Sequence, residues 1–291
     1  MQKNRHLLPL AALLVAVTIG GLGNTLIAAG AIENPWLFLS LRFIFGSIAT
    51  AYWLPKIFKL PKRMKIASML EVASILTLAL SLSSISVALA TIISSINPIL
   101  SMLINQITGK QKLPQLIIIP ILLGLTSTIL LISQKPFTVE SITGLALIIL
   151  SNLLGTAGVI INGWYGTETS PWVRVSLTNM LGAIIFTPML IINLSTPQAV
   201  HPTFNLILVA LFTAALAGSL AKGLYLYALQ TISVPATMQA NTLSTITAAL
   251  TAWIFLGQTL NITETAGILL GIITIIALSI IVKKQAQQDY K

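Results

Sequence analysis

The chain has 291 residues, of which 16 are Lys or Arg and 6 are Asp or Glu, giving a formal net charge of +10. Charged side chains make up 8% and apolar ones 56%, where a soluble domain carries about 25% charged residues. So few charges cannot cover a water-soluble globule, and so apolar a chain does not stay disordered; the composition specifies an integral membrane protein. The absence of Cys removes disulfides, thiolate catalysis and Cys-based metal sites.

Polar breaks divide the sequence into ten apolar segments, near 7–29, 35–54, 66–84, 87–108, 114–133, 141–162, 171–193, 203–228, 234–256 and 262–282. The first follows a basic start, as a signal peptide does, but its length and the nine segments after it make it an expected uncleaved first span. Turn and charge signals mark the breaks: Glu33-Asn34-Pro35, Pro55 to Lys65, Gly109 to Pro114, Gln134 to Glu140, Gly166 to Pro171, Ser195 to Pro202 and Gly257 to Asn261. The strict alternation of barrel strands is absent. Helices are therefore expected, because lipid offers no partner to an unpaired backbone group.

With the N-terminus inside, twelve bases fall on the cytoplasmic side: Lys3, Arg5, Lys56, Lys59, Lys62, Arg63, Lys65, Lys110, Lys112, Lys283, Lys284 and Lys291. Outside stands Lys135, while Arg42, Arg174 and Lys222 lie in or near spans. This asymmetry predicts a multi-pass protein of a bacterial-type inner membrane with both termini cytoplasmic. It also accounts for the +10 balance without nucleic acid, for which no companion surface exists.

The halves resemble each other. Pro35-Trp36, Ser40-Leu41 and Gly46 recur as Pro171-Trp172, Ser176-Leu177 and Gly182, 136 residues on. Ile85-Ser86-Val87 recurs as Ile232-Ser233-Val234, and Ile121-Leu122-Leu123-Gly124 as Ile268-Leu269-Leu270-Gly271, both 147 residues on. The expected division is a first repeat at 1–134 and a second at 135–291. Five spans per repeat is an odd number, so the second copy enters from the opposite side. The expected fold is all-α, with ten transmembrane helices as two inverted five-helix repeats, an architecture suited to alternating access.

These features resemble the drug/metabolite transporter superfamily, in its ten-helix EamA form. The resemblance is carried by the Pro-Trp openings, by Leu41-Arg42-Phe43, by the stretch Ile85 to Leu113 and by its counterpart Tyr227 to Leu260. The family often has Gly-Glu after these last two spans, where Gln111 and Gln258 stand here. The resemblance implies a secondary-type carrier for a small organic metabolite, in the range of amino acids, amines and organic anions. It also implies a central cavity lined by spans 1, 3, 4, 6, 8 and 9.

Candidate solute contacts are Asn24 in span 1, Ser94 and Asn97 before Pro98 in span 4, Asn162 and Trp164 in span 6, Lys222 and Tyr225 in span 8, and Gln239 and Asn241 in span 9. Interhelical hydrogen bonding is the competing role for each amide and hydroxyl. Pro98 predicts a local kink near Ser94. Lys222 lies roughly 10 Å inside the membrane at about 1.5 Å per residue, where it either snorkels or pairs with a solute anion. Arg42 is expected in packing or a gate, and Arg174 is expected to snorkel. Glu71 is expected to pair at the interface with the loop holding Lys62, Arg63 and Lys65. Asn261-x-x-Glu264 matches a capping box, and Gly267-x-x-x-Gly271 permits close helix packing. Trp36, Trp53, Trp172 and Trp253 are expected at the interfaces.

An enzyme is not expected, since Asp289 is the sole Asp and His6 and His201 lie outside the apolar segments. No cofactor or metal is expected. The expected partners are a small-molecule solute and the bilayer, with monomer and homodimer equally open. A channel or a structural membrane protein is the alternative function.

Overall fold

Asn34 shows how the polar breaks become helix ends. Its backbone is extended (φ −160°), its side chain accepts the Leu37 amide at 3.0 Å, and Pro35 sits in the first turn. Ser141 and Thr203 open later helices in the same way, accepting from Thr143 N at 3.0 Å and Leu206 N at 3.1 Å. Each cap satisfies an amide that the helix itself leaves unpaired.

The structure, a computed structural model, describes residues 7–82, 84–85, 87–109, 115–133, 141–195, 202–247, 250 and 261–288. Helices follow in the order α1 (Leu7–Glu33), α2 (Pro35–Ala49), a 3-10 helix (Ala51–Lys59), α3 (Lys62–Ser81), α4 (Val87–Ser94), α5 (Asn97–Thr108), α6 (Ile118–Ile132), α7 (Ile142–Tyr165) and α8 (Pro171–Ser195). Then come α9 (Phe204–Phe212), a π-helical segment (Thr213–Ala221), α10 (Lys222–Ala228), α11 (Val234–Gln239) and α12 (Ile262–Gln288). No strand occurs among the described residues. The helical class is therefore as expected.

Five helical runs are long and apolar enough to cross a membrane: Lys62–Ser81, Ile142–Tyr165, Pro171–Ile192, Phe204–Ala228 and Ile262–Val282. A sixth would be the pair Pro35–Ala49 and Ala51–Lys59, which is bent by 86°. The regular helix thus ends at Ala49, short of the expected boundary at residue 54. Thr50 Oγ1 donates to Gly46 O at 2.7 Å at the bend, and the following turn carries Pro55, Lys56 and Lys59 with Tyr52 and Phe58 exposed. Leu7–Gly23 and Ile118–Ile132 are shorter apolar helices. The fourth segment is broken at Ser95–Ile96, with Pro98 in the restarting turn, as the proline predicted.

The chain forms two compact units. The first comprises Met1–Leu22, Ser86–Thr138 and Leu224–Lys291. In it α6 packs along α12 and α5 along α11. Ser127 Oγ donates to Gly267 O at 2.7 Å, and an ideal Cβ on Gly271 would fall 2.7 Å from the same oxygen. The small-residue pair thus serves the close packing expected of it. At the start of α12, Glu264 N donates to Asn261 Oδ1 at 2.8 Å and Asn261 N to Glu264 Oε2 at 3.1 Å, the predicted capping box.

The second unit comprises Gly23–Ile85 and Val139–Gly223. Here α3 packs along α7 and α2 along α8, with α8 also against α3 and the π segment against α2. The α2–α8 contact is reciprocal. Ser40 Oγ donates to Phe186 O at 2.8 Å, and Ser176 Oγ donates to Thr50 O at 3.1 Å. Ser40 and Ser176 are separated by 136 residues, and so are Thr50 and Phe186. Gly46 likewise faces Asn179, and Gly182 faces Phe43, again at one offset. Early residues of each helix meet late residues of the other, so the two lie antiparallel about a local two-fold.

Both units draw on both halves of the sequence. α2 on α8, α6 on α12, and α5 on α11 are contacts between segments that the sequence likens to each other.

Candidate functional site

The α3–α7 seam is lined by small residues at helical spacing. Ser74 and Ser151 exchange hydrogen bonds, each hydroxyl donating to the other residue's carbonyl at 2.9 and 2.8 Å. One turn on, an ideal Cβ at Gly155 would lie 2.8 Å from Ser74 Oγ, and one at Gly158 would lie 2.9 Å from Glu71 Cγ. With no side chains there, the helices close on each other and Glu71 is trapped between them, 5% exposed.

Glu71 is a hub. Oε1 accepts Lys222 Nζ at 2.9 Å and Asn162 Nδ2 at 3.0 Å, and Oε2 accepts Thr178 Oγ1 at 3.3 Å. Four elements, α3, α7, α8 and α10, thus converge on one carboxylate. An ionised carboxylate in an apolar segment is tolerated only with such partners. Lys222 is 26% exposed and Glu71 far less, so the pair has one accessible member and one fixed member.

Asn162 couples the hub to a second cation. Its Oδ1 accepts Arg174 Nη1 at 3.0 Å, while its Nδ2 also reaches Gly158 O at 3.1 Å. Arg174 is 1% exposed, so the expected snorkelling is corrected. Its guanidinium lies at the C-terminal end of α7, where the helix carbonyls favour a cation. An ideal Cβ on Gly166 would overlap that guanidinium, so the turn after α7 must lack a side chain.

The polar track continues on the neighbouring face of α8. Asn179 Nδ2 donates to Gly46 O at 3.1 Å and to Ser219 Oγ at 3.2 Å, joining α2 to the π segment. Arg42 lies one turn before Gly46 on α2, beside Gly218.

The sequence candidates divide between the units. In the second, Asn162 and Lys222 are brought together on Glu71. Trp164 packs edge-on against Tyr165 at 6.2 Å, and Asn24 lies in α1 with its side chain outside the described residues. In the first, Ser94 ends α4, Asn97 opens α5, and both are half-buried. Tyr225 packs partly buried on the core, and Asn241 is exposed. Gln239 is buried, donates to Thr242 Oγ1 at 2.9 Å, and lies where a Cβ on Gly124 would be.

Sequence reasoning missed Glu71, Arg174 and Thr178 as members of the site. Glu71 turns to Lys222 and not to the basic loop, a correction of the expected interfacial pairing. Trp53 stacks on Trp172 at 5.6 Å, a specific contact where general interfacial anchoring was expected; Trp253 lies outside the described residues. A groove of about 570 Å³ on α8 is lined by Ala183, Ile184, Thr187, Pro188, Ile191 and Ile192. It lies apart from every charge above, and its apolar lining suits lipid. No group of His, Cys, Asp and Glu suited to a metal occurs among the described residues.

Apolar helices in this number define a multi-pass membrane protein, and a buried charge hub within them is the kind of feature found on solute pathways. Residues 142–280 match the EamA-like transporter family. That domain, which contains Asn162, Arg174, Thr178 and Lys222, is of the drug/metabolite transporter superfamily. Members of that family are transporters and generally not enzymes. No curated protein matches the sequence. A solved crystal structure is similar over 94% of this chain and 98% of its own, with a TM-score of 0.78. At 14% identity this likeness concerns the fold alone.

Proposed function

We propose that the protein is a secondary-type carrier that moves a small organic metabolite, of the amino acid, amine or organic anion class, by alternating access. It has ten spans in two inverted repeats, 1–134 and 135–291, and resides in a bacterial-type inner membrane with both termini cytoplasmic. The observation that carries this reading is the reciprocal α2–α8 contact, Ser40 to Phe186 and Ser176 to Thr50. A two-fold across antiparallel spans is what an inverted repeat requires, and it lets one sequence solution serve two opposed gates.

The hub supplies the chemistry. A solute ammonium competes with Lys222 for Glu71, and a solute carboxylate competes with Glu71 for Lys222. Either exchange replaces one ion pair by another, so a charged solute enters without leaving a bare charge behind. Asn162 and Lys222 are assigned to this station, and Glu71 joins them. Asn24, Ser94, Asn97, Trp164, Tyr225, Gln239 and Asn241 are further proposed contacts.

Reconstitution into proteoliposomes tests the reading, with radiolabelled amino acids, amines and organic acids as the panel. Saturable uptake accelerated by the same solute on the opposite side supports a carrier. Flux proportional to concentration at every level supports a channel, and no flux for any of them supports a structural role.

A further inference from the structure

We infer that Arg42 is an anion-binding residue whose ligand is the carboxylate, phosphate or sulfonate group of a small organic solute. The assignment of the ligand as a solute rests on the carrier reading; the anion site itself does not.

Arg42 is 8% exposed, and its Nε and Nη1 are buried without a hydrogen-bond partner. Its Cζ stands 5.3 Å from the centroid of the adjacent Phe43 ring. A ring face offsets part of the lost hydration and satisfies none of the fork's directed N–H donors. A buried guanidinium without an acceptor is among the costliest arrangements in an apolar segment. An acceptor brought by a ligand removes that cost.

The repeat identifies what is missing. Arg42 and Thr178 are separated by the 136 residues that relate α2 to α8. Glu71 and Gly218 are separated by 147, the offset that relates Ile85 to Ile232 at the ends of the same two spans. On one side of the two-fold Thr178 donates to the Glu71 carboxylate at 3.3 Å. On the other, Arg42 faces Gly218, where an ideal Cβ would lie 3.6 Å from Nη2 and 3.8 Å from Nε. The place that a carboxylate fills on one side of the two-fold therefore holds no side chain on the other, and an arginine stands beside it. Gly218 lies in the π-helical segment, a departure from regular helix that recurs at functional sites.

The guanidinium fork matches a planar or tetrahedral oxyanion with two parallel hydrogen bonds and repels ammonium groups. The ligand class is thus an organic anion or the anionic end of a zwitterion. An anionic lipid headgroup presents the same chemistry.

The test is thermal unfolding of the full chain purified in neutral detergent. The probes are sodium acetate, inorganic phosphate and phosphatidylglycerol, against sodium chloride and phosphatidylcholine controls at matched ionic strength. Arg42→Gln removes the charge, and Gly218→Asp supplies an internal carboxylate to Arg42. The wild type should gain stability from acetate or phosphate beyond the chloride control. Arg42→Gln should bind the effective probe about tenfold to hundredfold more weakly, the loss expected for a charge-assisted hydrogen-bond pair. Gly218→Asp should melt higher than wild type without a probe and respond to none. A response to phosphatidylglycerol alone that depends on Arg42 keeps the anion site and makes its ligand a lipid. A wild type that responds to no probe, or an equal response in Arg42→Gln, overturns the assignment. So does a Gly218→Asp variant that responds as wild type does. No transport is measured, so failure here leaves saturable uptake standing, and failure of uptake leaves this binding site standing.

Discussion

Replacing Glu71 by Gln keeps the shape of the hub and removes its charge. One carboxylate oxygen becomes an NH2 donor, so either Lys222 and Asn162 lose the acceptor they share at 2.9 and 3.0 Å or Thr178 loses its acceptor at 3.3 Å, and Lys222 loses its counter-charge in both cases. Removing one member of a fully buried ion pair costs about 3–5 kcal/mol. Lys222 is 26% exposed, and hydrogen bonds inside membrane proteins average nearer ~0.6 kcal/mol, so the lower end applies. Glu71→Gln should therefore destabilise the fold by about 3 kcal/mol, or roughly 6–12 °C in midpoint at ~2–4 °C per kcal/mol. The assay is reversible unfolding in mixed micelles, followed by circular dichroism, for Glu71→Gln, Lys222→Gln and the double variant. The two positions should couple by ~1–2 kcal/mol, with the double variant less damaged than the sum of the singles. Coupling within about 0.5 kcal/mol of zero would refute the hub, since the two charges would then be stabilised independently.

Three further perturbations follow from the packing. Gly124→Ala places a methyl on the Gln239 amide and 2.7 Å from Thr242 Oγ1; it should lower stability by about 1–3 kcal/mol, and adding Gln239→Ala should restore most of that in the same melting assay. Asn261→Ala removes the side-chain half of the capping box at α12, the bond from Glu264 N to Asn261 Oδ1, and leaves the backbone N–H that Glu264 Oε2 accepts, at ~1 kcal/mol. Faster hydrogen exchange at the Glu264 amide, with protection unchanged in the middle of α12, is the expected signature. Gly166→Ala drives the Arg174 guanidinium off the end of α7; a melting point lowered by several degrees is expected, and an unchanged one would mean that Arg174 is not held there.

The outline of the fold was legible because lipid forces it. Apolar runs, polar breaks and caps are local signals, and the breaks at Asn34 and Asn261 became helix starts. The Pro98 break was legible for the same reason. The site was legible in part. Lys222 stood out because a base so far into an apolar segment needs a reason, but its partner lies 151 positions away. Sequence proximity favoured Lys62, Arg63 and Lys65 for Glu71. Two signals would have corrected that pairing. Helix α3 starts at Lys62, which puts Glu71 ~14 Å along it at about 1.5 Å per residue, and Ser151, Gly155 and Gly158 mark a face of α7 built for close approach. The bend after Thr50 and the π segment at Thr213–Ala221 left no comparable trace, because both depend on what packs against them.

Proteoliposome counterflow tests the central claim most directly, comparing wild type with Glu71→Gln and Lys222→Gln reconstituted to equal folded amounts. A carrier whose solute exchanges with the Glu71–Lys222 pair should give saturable, trans-accelerated uptake in the wild type. Both variants should keep their orientation in the membrane and lose at least about tenfold in transport efficiency, the effect of one charge-assisted contact. Uptake that rises linearly with concentration, or saturable uptake that both variants retain unchanged, would contradict the account.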